Sequence, residues 1–121
     1  MNFLMSFISI KHGVVEAADG NLYITNYDVG ITKVSPQERN SEFSSDFGRP
    51  GVGIVIGQNN NIFAADNGDG KVRLIRPDGT TKVVVDDIGG CVALLLYQNV
   101  LYVTSWDQGA VYTYALDDSF F

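Results

Sequence analysis

The chain has 121 residues and a formal net charge of −6, from 8 Lys and Arg against 14 Asp and Glu. This length suits one domain, and so few basic residues argue against nucleic acid or an anionic membrane as partner. Hydrophobic residues make up 45% and charged residues 18%, which favours a packed globular chain over a disordered one.

The first apolar run, from Phe3 to Ile10, is rich in β-branched and aromatic residues, so it predicts a strand. It has neither a basic segment before it nor a small-residue cleavage site after it, as a secretory signal would. No stretch approaches the roughly twenty apolar residues that span a bilayer. These features assign no compartment to the protein.

An internal repeat of about 40 residues is the most informative feature of the sequence. Tyr23, Phe63 and Tyr102 occupy equivalent positions in three similar apolar runs, at spacings of 40 and 39 residues. Three glycines repeat these spacings: Gly30, Gly70 and Gly109. Two independent anchors with one period indicate a repeat architecture.

The middle repeat contains four short apolar runs that turns separate. We expect strands over 52–57, 61–66, 71–76 and 81–86. The turn Pro77-Asp78-Gly79 joins the last two, since Pro presets φ and Gly accepts a positive φ. Four consecutive strands joined by tight turns predict an antiparallel meander.

A four-stranded meander of this kind cannot cover both of its apolar faces, whereas radial packing of similar sheets covers each face with a neighbour. We therefore predict an all-β protein, a single domain of β-propeller blades at 13–49, 50–90 and 91–121. The third blade is incomplete, and residues 1–12 form the outer strand of a preceding or partner blade. Because three blades are too few for a closed ring, we expect either a homodimer that completes six blades or a part of a longer chain.

The middle repeat resembles an NHL-type blade in the residues of 47–54 and 60–73 and in Pro77-Asp78-Gly79. It is equally similar to blades of the six-bladed superfamily that contains gluconolactonase, the senescence-marker protein and strictosidine synthase. The gluconolactonase group implies a divalent metal such as calcium, held in the central channel by a Glu of an early inner strand and by Asn and Asp residues of later ones. Here glycines precede the later inner strands, and only Glu16 offers a carboxylate. We therefore expect no cofactor, unless the chain is lactonase-like.

Single residues limit the remaining chemistry. Cys91 is the only cysteine, which excludes an intramolecular disulfide and a Cys-based zinc cluster within one chain. His12 is the only histidine, so multi-histidine metal sites are excluded as well. The dipeptide Trp106-Asp107 suggests a WD-repeat propeller, but it falls between the second and third expected strands instead of closing the third.

The turns between second and third strands share one edge of a propeller with the connections that lead into the inner strands. Aromatic rings and carboxylates on such loops are typical of recognition surfaces, although Asp and Asn also serve turn chemistry. The candidate ligand-binding residues at this edge are Tyr27, Asp28, Arg49, Asn67, Asp69, Trp106 and Asp107.

The leading functional prediction is a non-catalytic binding or scaffold module that recognises a small molecule, carbohydrate or peptide on this loop face. The alternative is a metal-dependent lactonase or gluconolactonase-like hydrolase that is complete only in an assembled six-bladed ring. Fold analogy alone supports the alternative, since propellers host many functions. The sequence assigns no catalytic residue.

Overall fold

The computed structural model describes residues 11–26, 30–44, 47–48, 50–117 and 120, without the side chains of 11, 12 and 50–52, as three antiparallel sheets. The first sheet contains β1 (Lys11–Glu16), β2 (Leu22–Asn26), β3 (Gly30–Val34) and β4 (Asn40–Ser44). The second contains β5 (Pro50–Ile56), β6 (Ile62–Asp66), β7 (Lys71–Ile75) and β8 (Thr81–Val85). The third contains β9 (Cys91–Tyr97), β10 (Val100–Ser105) and β11 (Ala110–Ala115). Within these ranges, no helix is long and apolar enough to cross a bilayer.

Every sheet is a meander in which strands adjacent in sequence pair with each other, which confirms the all-β prediction. The inner strands begin earlier than expected. β5 begins at Pro50 instead of Val52, and β1 begins at Lys11, so residues 11 and 12 extend the first sheet's inner strand. The strand pairing is irregular just after Lys11 and just after Pro50. Such bulges interrupt the alternation of apolar and polar residues from which a strand is predicted. The strand expected over 3–10 lies outside the described residues.

The core lies between the sheets, and each sheet has a forward face toward the next sheet and a backward face toward the preceding one. On the first sheet's forward face, Tyr23 and Ile31 pack in one cluster with Ile54 and Ile62 of the second sheet. The second sheet repeats this relation with the third. Its forward residues Phe63, Val72 and Leu74 pack in one cluster with Leu101 and Val103.

The second sheet is covered on both faces, and its sequence reflects this. All five residues of β6 are buried, with Phe63 directed forward and Ile62 backward. A strand buried on both sides is a continuous apolar run instead of an alternating one. In β10, which faces only the second sheet, burial alternates from residue to residue.

The first strands of successive sheets lie side by side: β1 contacts β5, and β5 contacts β9. Gly53 permits the second of these contacts. A Cβ at Gly53 would lie 2.7 Å from the carbonyl oxygen of Val92 and 2.8 Å from the amide nitrogen of Leu94, where no side chain fits. The first strands therefore form the inner edge of the three packed sheets, and the fourth strands, β4 and β8, lie at their outer edge.

Candidate functional site

The two described turns between second and third strands, 67–70 and 106–109, lie at one edge of the molecule with the connections into the inner strands. In the β6–β7 turn, the Gly70 carbonyl accepts a hydrogen bond from the Ile88 amide at 2.9 Å. In the β10–β11 turn, the Trp106 amide donates to the Gly90 carbonyl at 2.8 Å. We call this surface the loop face: turns 67–70 and 106–109 with segments 47–48 and 86–90.

Asp66, at the end of β6, is the buried centre of the middle part of this face. Its side chain has no exposed surface. The Asp66 carboxylate accepts hydrogen bonds from the Gly48 amide at 3.0 Å, from the Asp69 amide at 3.2 Å and from Arg73 Nε at 2.9 Å. A buried charge needs such a set of partners, so Asp66 holds the turn and the segment before β5 in place.

The Arg73 guanidinium connects the buried and exposed parts of this network. Its Nη2 atom lies 2.9 Å from Oδ2 of Asp69, while its Nε atom contacts Asp66. The same guanidinium lies over the Phe47 ring, 5.7 Å from the centroid. Both carboxylates of the turn therefore share one cation, and the predicted binding residue Asp69 has a structural contact of its own.

Asn67 connects the middle turn to the third sheet. Its Nδ2 atom donates to the Cys91 carbonyl at 3.3 Å, across the boundary between the two sheets. Cys91 itself is fully buried, and its thiol lies 3.1 Å from the carbonyl oxygen of Lys71. Burial raises the pKa of this thiol from its ordinary value of 9.0 to about 11, so it stays protonated and unreactive at neutral pH.

The β10–β11 turn carries two exposed candidate residues, Trp106 and Asp107. Trp106 is 79% exposed, although its backbone amide is bound to Gly90. Asp107 is exposed and lies against the connection into β9, since a Cβ at Gly89 would be 2.6 Å from its Oδ2 atom. The indole and the carboxylate therefore stand at the surface on an anchored backbone.

The loop face is acidic. Asp69 and Asp107 are exposed on its two turns, and Asp86 and Asp87 are exposed in the segment before β9. The Arg73 charge is engaged by Asp66 and Asp69. Exposed carboxylates beside an indole favour a ligand that offers hydrogen-bond donors or positive charge together with an apolar surface.

Four of the seven candidate residues lie together on the loop face: Asn67, Asp69, Trp106 and Asp107. Tyr27, Asp28 and Arg49 lie outside the described residues. Among the four, Asn67, Asp69 and Asp107 lie against neighbouring protein groups, although both carboxylates are exposed, and Trp106 is 79% exposed. Trp106 of the third sheet is therefore an available recognition group.

Sequence reasoning missed the residues that organise this face. Asn26, Asp66 and Ser105 occupy one repeat position, the end of the second strand, and all three are buried. Ser105 Oγ donates to the Gly89 carbonyl at 2.7 Å and plays the part that Asp66 plays toward Gly48. The signal was present in the repeat: a polar residue recurs where each apolar run ends.

The side chains that could bind a metal do not lie close together within the described residues. Among the described residues, no three His, Cys, Asp or Glu side chains form a cluster of the kind that binds a cation. Glu16 is exposed at the end of β1. A divalent ion needs several oxygen ligands at short range, so the described residues do not fit the metal that the gluconolactonase resemblance implies.

Comparison with known proteins identifies the fold. No family model and no curated protein sequence matches the chain. Among solved structures, a streptogramin B lyase has a TM-score of 0.72 at 17% identity, over 94% of this chain and 43% of that one. A chain of a nidogen/laminin complex has a TM-score of 0.74 at 19% identity, over 87% of this chain and 43% of that one.

A gluconolactonase from Xanthomonas campestris has a TM-score of 0.71 at 18% identity, over 84% of this chain and 36% of that one. The chain thus spans less than half the length of these structures, which are propellers of the six-bladed type. At these identities the likeness establishes the fold alone. The three sheets are blades, and the chain has the fold of a partial six-bladed β-propeller.

Proposed function

We propose that the chain is a non-catalytic binding module that recognises its ligand on the loop face, with Trp106 and Asp107 as the central contacts. The observation that carries this proposal is the 79% exposure of Trp106 on a turn whose backbone is fixed by hydrogen bonds. Large aromatics are enriched at recognition hot spots, and a fixed backbone lowers the entropy that binding costs.

The chemistry of the face defines the ligand class. The indole offers a flat apolar surface, and the neighbouring carboxylates accept hydrogen bonds or pair with positive charge. A small molecule, a carbohydrate or a peptide with an apolar face beside a donor group fits this description. The nidogen/laminin structure supports a peptide or protein partner, because a propeller of this type occurs there in a protein complex.

A titration of Trp106 fluorescence tests the proposal, since this is the chain's only tryptophan. We expect an emission change with at least one class in a panel of small molecules, oligosaccharides and peptides. Asp107→Asn keeps the fluorophore and removes the carboxylate charge, which should weaken binding roughly tenfold, the value of a charge-assisted hydrogen bond.

The matched control is Asp78→Asn. Asp78 is also exposed in a turn, but that turn joins β7 to β8 at the opposite edge of the second sheet. This variant should bind as the unaltered chain does. No response across the whole panel, or equal losses in both variants, would contradict the proposal.

A second candidate is a metal-dependent lactonase or related hydrolase. The observation that favours it is the likeness to two gluconolactonase structures, with TM-scores of 0.71 and 0.61. Since the described residues do not assemble a cation site, this activity requires ligands from elsewhere in a complete ring.

Thermal unfolding in calcium, magnesium, zinc and manganese separates the two candidates. A specific site on the native state raises the melting temperature by mass action. The binding proposal predicts no shift with any of the four ions. A shift that saturates with one ion and disappears in Glu16→Gln would favour the hydrolase.

A further inference from the structure

Asn67 is the only asparagine of the chain that is followed by a glycine. The backbone nitrogen after an asparagine can attack the side-chain carbonyl carbon, and this attack is least hindered when the next residue has no Cβ. The pair lies in the turn between the end of β6 at Asp66 and the start of β7 at Lys71. Neither residue is therefore held in a strand, and Gly68 is exposed to water.

The carboxamide of Asn67 spans the boundary between the second and third sheets. Its Nδ2 atom donates a hydrogen bond to the Cys91 carbonyl at 3.3 Å. Cys91 is the first residue of β9 and is fully buried, whereas Asn67 is half-buried. The nitrogen that makes this contact between sheets is the atom that deamidation removes.

The surroundings of Asn67 disfavour a negative charge at this position. Asp66 precedes it, Asp69 follows in the same turn, and both carboxylates already share the Arg73 guanidinium. A carboxylate at position 67 would have no hydrogen to donate to the Cys91 carbonyl. Deamidation would therefore replace a hydrogen bond between the sheets with repulsion between oxygen atoms.

We propose that Asn67 is a site of spontaneous deamidation, and that this modification weakens the contact between the second and third blades at the loop face. The Gly68 nitrogen forms a bond to Cγ of Asn67, and the carboxamide nitrogen leaves as ammonia, taking the Gly68 amide proton. Water then opens the resulting succinimide ring at either of its two carbonyl groups. The products are aspartate and isoaspartate, and isoaspartate also adds one carbon atom to the backbone path of the turn.

Peptide mapping by mass spectrometry, after incubation of the whole chain in mildly alkaline buffer, tests the site. The mass increase that accompanies replacement of a carboxamide NH₂ by OH should accumulate at Asn67 before it appears at the three asparagines of 59–61. Asn59 is the internal control, because it is exposed in a turn but is followed by a residue with a Cβ. The Asp-Gly pairs of the chain isomerise without a change in mass, so they do not contribute to this signal.

Gly68→Ala tests the role of the nucleophilic nitrogen. The new methyl group hinders the attack, so this variant should largely suppress the mass increase at Asn67. Gly68 does not have a positive φ, and alanine therefore fits its backbone conformation. A circular dichroism spectrum like that of the unaltered chain verifies that the fold is kept.

Asn67→Asp reproduces one product and tests its effect on the blades. Its melting temperature should fall by about 4 °C, the shift expected when a domain of this size loses one hydrogen bond. Asn59→Asp is the matched control, since it adds the same charge to an exposed turn between β5 and β6. This variant should melt as the unaltered chain does.

Two sets of results would overturn the proposal. A mass increase at residues 59–61 before Asn67, no increase at Asn67, or an equal rate in Gly68→Ala would show that Asn67 is not the site. Equal melting temperatures of Asn67→Asp and Asn59→Asp would show that the modification does not weaken the contact between the blades.

Discussion

Arg73 Nε lies 2.9 Å from the carboxylate of Asp66, a side chain with no exposed surface. This ion pair fixes the middle turn of the loop face. Arg73→Met should reduce the free energy of unfolding by about 3 kcal/mol or more, because it leaves a charge buried without its counterion. Asp69→Asn is the comparison, since that partner is exposed and its loss should cost about 1 kcal/mol or less.

Urea denaturation of both variants measures these differences. Equal losses in Arg73→Met and Asp69→Asn would show that Asp66 does not depend on the guanidinium. The middle turn would then be held by contacts other than this ion pair.

The close approach of β5 and β9 depends on Gly53. In Gly53→Ala the new methyl group would lie 2.7 Å from the Val92 carbonyl oxygen, so the second and third blades must separate. We expect a loss of about 1–3 kcal/mol or more in unfolding free energy, as for other overpacked cores.

Gly109→Asn provides the contrast for this measurement. Gly109 has a φ of +57° but no atom within 4 Å of a Cβ position, and asparagine tolerates this conformation. Its stability should change by less than about 1 kcal/mol. A Gly53→Ala protein as stable as Gly109→Asn would contradict the packing of the inner strands.

The Cys91 thiol makes stability depend on pH above neutrality. Burial raises its pKa from 9.0 to about 11, so the unfolded chain releases the proton first as the pH rises. Below pH 9 the thiol is protonated in both the folded and the unfolded chain, so it does not change the free energy of unfolding. As the pH approaches 11, the free energy of unfolding should fall by about 2–3 kcal/mol. Urea denaturation across this range should show a shallower decline in Cys91→Ala than in the unaltered chain. Parallel declines would show that the thiol is not buried.

Trp106 should matter for binding and not for stability. With 79% of its surface exposed, Trp106→Ala should change the free energy of unfolding by less than about 0.5 kcal/mol. Phe63→Ala, at a fully buried aromatic position, should cost about 3–5 kcal/mol. Thermal or urea melts of the two variants check this, and a large loss in Trp106→Ala would place the indole within the core.

The repeat predicts the blades because each blade must place apolar residues on two faces at fixed strand positions. Tyr23, Phe63 and Tyr102 carry that signal, and they are equivalent in the structure. The starts of the inner strands were harder to predict, because the irregular registers near Lys11 and Pro50 break the alternation.

The candidate site was predictable in outline and not in detail. Turn residues such as Trp106 were found because the repeat predicts equivalent turns at one edge of the blades. Asp66 was missed as an organiser because its partners, the Gly48 amide 18 residues before it and Arg73 seven residues after it, reach its carboxylate only once the strands have paired. The sequence also does not show which turn carboxylate forms an ion pair. Asp69 pairs with Arg73, and nothing in its residue type distinguishes it from Asp107.

The most direct test of a binding site on the loop face is to map ligand binding residue by residue with amide NMR spectra of the labelled chain. We expect a ligand from the fluorescence panel to shift the amide signals of turns 67–70 and 106–109 and of segment 86–90, together with the indole signal of Trp106. Shifts confined to the inner strands around Glu16, or shifts that require a divalent cation, would contradict a binding site on the loop face.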